Sequence, residues 1–318
     1  MRRFALLVAM VLGTTVSASG AHLDLDGGAR RTAKAVRSAT TSYSLDGEVW
    51  LGKLRGVGGG RDTLVYVPNK LDATRAIDVV VYMEGIGSFE NGAMKTRHVA
   101  SMARLEGNAV YVAPDSPSST LGDRASKNEH WKAGCAARTC AGGHAAPGDF
   151  LVFLDEVRTK IATSLGADRR ALDLRVSLIG FSRGGKGVQG ALAQLSAANF
   201  HAGGMPVRLA DVIFADGNYH WNALDGSWAI LASRPEKPRL TILVGAGAFD
   251  ASGGDGNRRR ALEFWRSAAP AAPLPTAEKE TTAPRLRLVP VRGGHHAIGD
   301  AAVDFLRFTA PVAEGQTA

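Results

Sequence analysis

Residues 180–184 read Gly-Phe-Ser-Arg-Gly, a G-x-S-x-G pattern with Ser182 at its centre. A largely apolar run from Leu174 to Ile179 leads into the pattern, and a helix-compatible segment follows it at once. A serine between a buried strand and a helix sits at the apex of a tight turn, where its hydroxyl can project over the edge of a sheet. A chain with 38 glycines can produce the bare pattern by chance, but the flanking strand and helix favour Ser182 as a nucleophile.

A serine hydroxyl is a weak nucleophile and needs a neighbouring base to accept its proton. Histidine suits this task because its imidazole titrates close to neutral pH. Two candidates, His295 and His296, follow the last predicted strand, directly after the glycine pair at 293–294. We favour His295, which comes first after the glycines, and keep His296 as the alternate. The histidine that is not the base is expected to pack or to cap a helix.

The base in turn needs a carboxylate that orients it and stabilises the imidazolium ion. Asp250 follows a predicted strand at 239–244, in a loop of small residues, and is the favoured candidate. Asp216 follows the preceding strand and is the main alternate, while Asp255 is a third candidate.

Acyl transfer also needs two donors for the oxyanion that develops in the transition state. The backbone amide of Arg183 is one candidate, because it lies at the start of the predicted helix, where the dipole favours negative charge. The second donor is expected from the loop after the strand at 76–83, where Ile86 lies between two glycines.

Strands and helices alternate from residue 76 onward, which predicts a mostly parallel sheet with helices on both faces and one domain. Ligands bind beyond the carboxyl ends of such strands, so Glu84, Asp216, Asp250 and the histidine pair are expected near Ser182. The expected strands lie at 76–83, 108–114, 174–180, 207–214, 239–244 and 286–291, after an antiparallel hairpin of 44–54 with 61–68. The expected helices lie at 93–106, 149–165, 184–199, 257–268 and 299–308. Segments 115–148 and 218–237 are expected to be irregular, and 269–284 is expected to be a linker.

Ser182, Asp250 and His295 occur along the chain in the order Ser, Asp, His, which is the order of the α/β-hydrolases. Together with the runs at 180–184, 247–250 (Gly-Ala-Phe-Asp) and 293–295 (Gly-Gly-His), this order makes the chain resemble a secreted α/β-hydrolase over residues 45–310. The resemblance implies the α/β-hydrolase fold, with a sheet of about eight strands, and serine-esterase chemistry through an acyl-enzyme. One difference is that many relatives have His-Gly after the third strand, where this chain has Glu84-Gly85.

The N-terminal residues 1–21 have the features of a signal peptide: two arginines, a short apolar run from Phe4 to Leu12, and small residues after it. A flexible leader at 22–42, a single α/β-hydrolase domain at 43–310 and a tail at 311–318 are expected to follow. The predicted location is secreted or periplasmic. Since such compartments are oxidising, Cys135 and Cys140 are expected to form a local disulfide bond.

The composition is that of an ordinary globular enzyme, with 45% hydrophobic and 21% charged residues and a formal net charge of +8. The basic residues are scattered, and no nucleic-acid-binding module is evident. We therefore expect a small-molecule or polymeric ester substrate, no nucleic acid, no stable membrane insertion, no cofactor and no metal; the sequence indicates no particular oligomeric state. Two alternatives remain open, namely a peptidase or amidase with the same triad, and a non-catalytic binding module that uses the loops at 115–148 and 218–237.

Overall fold

Ten strands form one sheet in the computed structural model, which describes residues 31–32, 36–37, 42–43, 45–54, 62–85, 89–90, 93–94, 96–114, 150–182, 184–217, 223–245, 256–274, 276 and 280–308. In chain order the strands are β1 (Arg31–Thr32), β2 (Gly47–Lys53), β3 (Asp62–Pro68), β4 (Ile77–Met83), β5 (Ala109–Pro114), β6 (Leu174–Phe181), β7 (Arg208–Ala215), β8 (Arg239–Gly245), β9 (Thr281–Ala283) and β10 (Leu286–Val291).

The sheet has the strand order β1-β2-β3-β5-β4-β6-β7-β8-β10-β9. Neighbouring strands from β5 to β10 run parallel, whereas the pairs at both edges are antiparallel. The predicted hairpin is confirmed as β2 with β3, and the predicted mostly parallel sheet is confirmed as well. With helices on both faces, this is the α/β-hydrolase fold.

Six helices connect or flank the strands of the sheet in the described ranges. They are α1 (Thr96–Ala103), α2 (Phe150–Leu165), α3 (Gly184–Ala197), α4 (Ala223–Ala232), α5 (Gly256–Ala268) and α6 (His295–Ala301), which continues into a 3₁₀ turn at Ala302–Phe305. Short two-residue pairings join Val36–Arg37 to Ser42–Tyr43, Phe89–Glu90 to Ala93–Met94, and His201–Ala202 to Met205–Pro206. Within the described ranges, no helix has the length and apolar character that crossing a membrane requires.

The central strands carry apolar side chains on both faces, because helices cover the sheet on each side. In β6, Val176 and Leu178 belong to the core cluster that also contains buried residues of α2 and α3. Phe181, at the end of the same strand, belongs to the cluster on the opposite face, with Met102 of α1 and Ile298 of α6. The residue before Ser182 therefore packs on the face that α1 and α6 cover.

The structure differs from the sequence prediction at three elements. Helix α6 begins at His295, not at 299, and its N-cap residue Gly294 makes no side-chain capping hydrogen bond. The usual Ser, Thr, Asp or Asn signal for a helix start is thus missing from the sequence. Helix α4 lies inside the segment 218–237 that was expected to be irregular, and β9 lies inside the expected linker at 269–284.

Several predictions concern residues outside the described ranges. Among them are the signal peptide at 1–21, the irregular segment at 115–148 with the disulfide between Cys135 and Cys140, and the tail at 311–318. Within the predicted leader at 22–42, Arg31–Thr32 pairs with β2 as the edge strand of the sheet.

Candidate active site

Ser182 directly follows β6 and has a backbone φ of 53°. This left-handed conformation is uncommon for a residue with a side chain and often marks a functional constraint. The backbone is held on both sides, because the Ser182 N–H donates to the Ala215 carbonyl at 3.0 Å and the Ser182 carbonyl accepts the Gly185 N–H at 3.2 Å. The serine therefore occupies a fixed turn between β6 and α3, as the G-x-S-x-G pattern predicts for a nucleophile.

The glycines of this turn allow α3 to approach the backbone of two neighbouring strands. A Cβ atom on Gly184 would overlap the carbonyl oxygen of Met83, at the end of β4. A Cβ atom on Gly185 would overlap the carbonyl oxygen of Gly217, just beyond β7. Because both obstacles are backbone atoms, they cannot move aside as a flexible side chain could.

We expect Gly185→Ala to lower the free energy of unfolding by about 2–4 kcal/mol, because the added methyl group forces the strand end and the helix apart. Urea denaturation followed by circular dichroism would measure this change. Gly226→Ala in α4 is the matched control, since a Cβ there meets no atom within 4 Å. It should stabilise the protein by up to about 1 kcal/mol, because alanine favours the helix. Equal effects of the two substitutions would contradict this account of the turn.

His295 is the first residue of α6, and Gly293, with φ of 108°, shapes the turn before it. The His295 Nδ1 atom is hydrogen-bonded to the Oδ2 atom of Asp216, which directly follows β7. Asp216 also has a left-handed backbone, with φ of 47°, and its N–H donates to the Leu243 carbonyl at 2.9 Å. The carboxylate is thus anchored between the ends of β7 and β8, and its side chain is only 8% exposed.

The bond to Asp216 decides which nitrogen of the His295 ring can act as a base. A carboxylate only accepts hydrogen bonds, so Nδ1 carries the proton and Nε2 is the acceptor in the neutral ring. The His295 ring also lies against Phe181, with ring centroids 4.5 Å apart and planes inclined by 32°. The residue before Ser182 therefore contacts the ring that the aspartate orients.

The structure brings His295 together with Asp216, the alternate acid of the sequence prediction. Asp250 and the third candidate, Asp255, lie outside the described residues. The order of residues along the chain could not separate the candidates, because all three aspartates fall between Ser182 and His295. In the structure, β7 is the immediate neighbour of β6, so Asp216 leaves the sheet beside the serine turn.

The two expected oxyanion donors, Arg183 and Ile86, lie outside the described residues. The amide of Gly85, which precedes Ile86, donates to the Glu84 Oε1 atom at 3.1 Å. In this structure the Gly85 amide is therefore occupied by Glu84 and does not face an oxyanion.

Glu84 is 1% exposed, so its carboxylate lies behind the site and not at a surface. Its Oε2 atom lies 3.3 Å from Nε of Arg97 and 4.0 Å from Nε2 of His98. Burial by itself lowers the pKa of Arg97, but the negative charge of Glu84 and its neighbours raises it by more. The buried glutamate is thereby matched by a buried arginine.

Arg97 was not singled out by the sequence, although it contacts the second histidine of the pair. Its Nη2 atom lies 2.8 Å from Nδ1 of His296. In the sequence alone, Arg97 is an ordinary polar residue of an amphipathic helix. Its place in the site depends on its contact with His296, which lies 199 positions later in the chain.

Tyr82 fixes the other end of α6, because its hydroxyl donates to the Gly299 carbonyl at 2.9 Å. The hydroxyl is buried, and burial raises the pKa of Tyr82 well above its ordinary value of 10.0, with a further contribution from the charge of Glu84. Tyr82 therefore stays protonated in the folded protein at a pH at which it ionises in the unfolded chain.

We expect Tyr82→Phe to lower the free energy of unfolding by about 1 kcal/mol near neutral pH, through the lost hydrogen bond. Since the folded pKa is raised, the stabilising contribution of Tyr82 is complete below pH 10 and is lost as the pH rises above it. This loss amounts to about 1.4 kcal/mol per pH unit per group. The stability of Tyr82→Phe should thus fall less steeply above pH 10 than that of the wild type, as urea denaturation at pH 8 and 10.5 can test. If the unfolding free energies of the two proteins changed with pH in parallel, the raised pKa of Tyr82 would be contradicted.

The chain thus has the α/β-hydrolase fold, with the serine turn and the His295–Asp216 pair at the carboxyl ends of its strands. Within the described ranges, no group of three or more His, Cys, Asp or Glu side chains could hold a metal ion. No protein-family model matches the sequence, and no curated protein is similar to it.

Solved structures with a related fold include three hydrolases. The chain is similar to a thermostable esterase (12% identity over 81% of this chain and 60% of that chain, TM-score 0.45). It is also similar to poly(aspartic acid) hydrolase-1 from Sphingomonas sp. KT-1 (15% identity, 82% and 98% coverage, TM-score 0.46). The third is a ferulic acid esterase (12% identity, 82% and 97% coverage, TM-score 0.46). At these identities and scores, the likeness carries no argument about activity.

Proposed function

We propose that the protein is a serine hydrolase that cleaves carboxylic esters through an acyl-enzyme on Ser182. The single observation that carries the proposal is the His295–Asp216 hydrogen bond, beside a serine that is held in a left-handed turn at the neighbouring strand end. A serine, an oriented imidazole and a buried carboxylate are the three members of a catalytic triad for nucleophilic acyl transfer.

In the proposed reaction, the Ser182 hydroxyl attacks the acyl carbon while Nε2 of His295 takes its proton. The imidazolium is stabilised by Asp216 and then gives the proton to the departing alcohol oxygen. Water next attacks the acyl-enzyme, His295 again accepts a proton, and the acid leaves as Ser182 regains its own. The amides of Arg183 and Ile86 remain our proposed donors to the oxyanion.

Secretion remains part of the proposal, on the strength of the signal-peptide features of residues 1–21. In the same oxidising compartment, Cys135 and Cys140 would form the local disulfide. Mass spectrometry of the secreted protein, with and without reduction, would test both points.

The proposal is tested by labelling the wild-type protein with a fluorophosphonate and by assaying p-nitrophenyl esters. Trypsin releases the peptide 176–183, which contains both Ser177 and Ser182. Fragmentation of the labelled peptide should place the adduct on Ser182. If the protein takes no label and turns over no ester or amide, the proposal is wrong and the binding-module alternative gains support.

An amide substrate would use the same chemistry, so the two activities must be compared with matched acyl groups. p-Nitrophenyl acetate and p-nitroacetanilide share the acetyl group and differ only in the leaving atom. We expect turnover of the ester, and efficient cleavage of the anilide would identify an amidase.

A further inference from the structure

Arg97 lies on α1 and contacts three parts of the site from one buried position. Its Nε atom lies 3.3 Å from Glu84, and the two side chains are 8% and 2% exposed. Its guanidinium carbon lies 4.4 Å from the centre of the Phe181 ring, a favourable cation–π distance. Its Nη2 atom bonds to Nδ1 of His296. One side chain thus links the end of β4, the end of β6 and the first turn of α6.

The bond to Arg97 decides the protonation state of His296. A guanidinium only donates hydrogen bonds, so Nδ1 of His296 must be the acceptor. A neutral ring with an acceptor at Nδ1 carries its proton on Nε2. If the ring were protonated, an N–H of His296 would face an N–H of Arg97, and neither could accept. The bond therefore disfavours the charged form of His296.

The two adjacent histidines therefore have opposite tautomers. His295 holds its proton on Nδ1, against Asp216, and presents Nε2 as a base. His296 holds its proton on Nε2, and its Nδ1 atom accepts a hydrogen bond from Arg97. The ring centroids are 5.9 Å apart, so a positive charge on one ring would oppose a positive charge on the other. Of the pair, only His295 is set up to take the proton of Ser182.

In the part of the chain that the structure describes, several other charged groups on the elements around α6 are exposed or are paired with partners other than His296. Asp300 of α6 lies 3.7 Å from Arg97 and is half exposed, and Arg292, which precedes α6, is also exposed. The remaining cations pair as Arg104 with Asp304, Arg239 with Asp211, and Arg287 with Glu280. Within the described ranges, Glu84, Asp216, His98 and the phenol of Tyr82 are titratable groups on the site side. Among the described residues, Arg97 brings a buried charge into hydrogen-bonding contact with the His296 ring.

Helix α6 depends on such contacts because its N-cap residue makes no side-chain capping bond. Arg97 holds its second residue, and Tyr82 holds the carbonyl of its fifth. Gly299 allows this packing, since a Cβ there would meet the Phe181 ring at 2.8 Å and would overlap the guanidinium of Arg97. The helix that carries His295 is thus held from α1 and β4, while Asp216 orients the His295 ring itself.

We infer that Arg97 is a positioning residue that keeps His296 neutral, with Nδ1 as acceptor, and thereby fixes the turn of α6 that carries His295. The catalytic consequence rests on the proposed function, whereas the protonation state of His296 does not.

The protonation state can be read directly from long-range ¹H–¹⁵N spectra of the histidine rings in the full chain. His295→Gln and His296→Gln variants would assign the signals among the eight histidines. We expect the Nε2–H tautomer for His296, and a ring that stays neutral below the pH of about 6.5 at which a free imidazole takes up a proton. An Nδ1–H tautomer, or ordinary titration of His296, would overturn the inference.

A charge-conserving double variant, Glu84→Gln with Arg97→Met, removes the guanidinium without leaving a buried carboxylate unpaired. His296 should then titrate as a free histidine, and kcat/KM should fall by about tenfold to a hundredfold, mostly in kcat, through the shifted base. Arg97→Lys should lose less, since lysine is also a donor only. Glu280→Gln with Arg287→Met is the matched control, because it removes a distant ion pair of equal charge.

Unchanged titration of His296 in the double variant, or a kcat equal to that of the control, would contradict the inference. If the wild type hydrolyses no substrate, the proposed function fails, but the ring spectra still decide the role of Arg97 toward His296.

Discussion

Replacement of Ser182 by alanine is expected to lower kcat for a p-nitrophenyl ester by about 10⁴-fold or more and to abolish fluorophosphonate labelling. The physical reason is that no acyl-enzyme can form without the hydroxyl, and only substrate binding and oxyanion stabilisation remain. The fold should survive, because alanine keeps the Cβ atom, and the hydrogen bonds that hold the turn come from the backbone. Circular dichroism and steady-state kinetics on the same preparation would check both statements.

Ser177→Ala is the matched control for this substitution. Ser177 lies five residues earlier in β6, is 3% exposed, and occurs in the same tryptic peptide. The control should keep both the activity and the label of the wild type. Residual labelling of the Ser182→Ala protein on another residue, with retained turnover, would place the nucleophile elsewhere.

Asp216→Asn is expected to lower kcat by about 10³–10⁴-fold, whereas Asp250→Asn should keep most of the activity. An asparagine amide can donate to Nδ1 of His295, which would move the ring proton to Nε2 and leave no base toward the serine. The size and shape of the side chain are almost unchanged, so the loss would report the tautomer and not a packing defect. Parallel measurement of kcat and of the histidine ring spectra would connect the two effects.

The comparison of these two variants separates the two candidate acids directly. If Asp250→Asn lost the activity and Asp216→Asn kept it, the observed His295–Asp216 bond would be structural and Asp250 would be the acid. Equal losses would indicate that both carboxylates act on the same imidazole. Unfolding curves for both variants would exclude a general loss of structure.

Local sequence signals predicted much of the fold. Apolar runs such as those of β4 and β6 predict buried strands, and the glycines after β6 predict the tight turn, because both depend on neighbouring residues only. The prediction of Ser182 within a strand–turn–helix is confirmed as a structural statement, whereas its role as nucleophile remains a prediction. The start of α6 was missed, since Gly294 provides no capping side chain.

Long-range contacts account for what the sequence could not provide. Asp216 and His295 are 79 positions apart, and nothing near either residue distinguishes Asp216 from Asp250. The ion pair of Glu84 with Arg97 could not be predicted from the sequence either, because it depends on how α1 packs beside the end of β4. A buried charge can be predicted only when its partner is known, and the partner is chosen by the tertiary structure.

At Ser182 and Asp216, which both have left-handed backbones, the residue type that would best stabilise the fold differs from the one that the proposed chemistry needs. Glycine adopts such a conformation without the steric penalty that a Cβ atom brings, a penalty of order 1–3 kcal/mol per residue. Yet glycine would supply neither a hydroxyl nor a carboxylate. The protein therefore tolerates a less stable backbone at the proposed nucleophile and at the proposed acid, and the surrounding sheet must offset the cost. Selection for thermal stability alone would drive these two positions toward glycine and remove the two side chains on which the proposed activity depends.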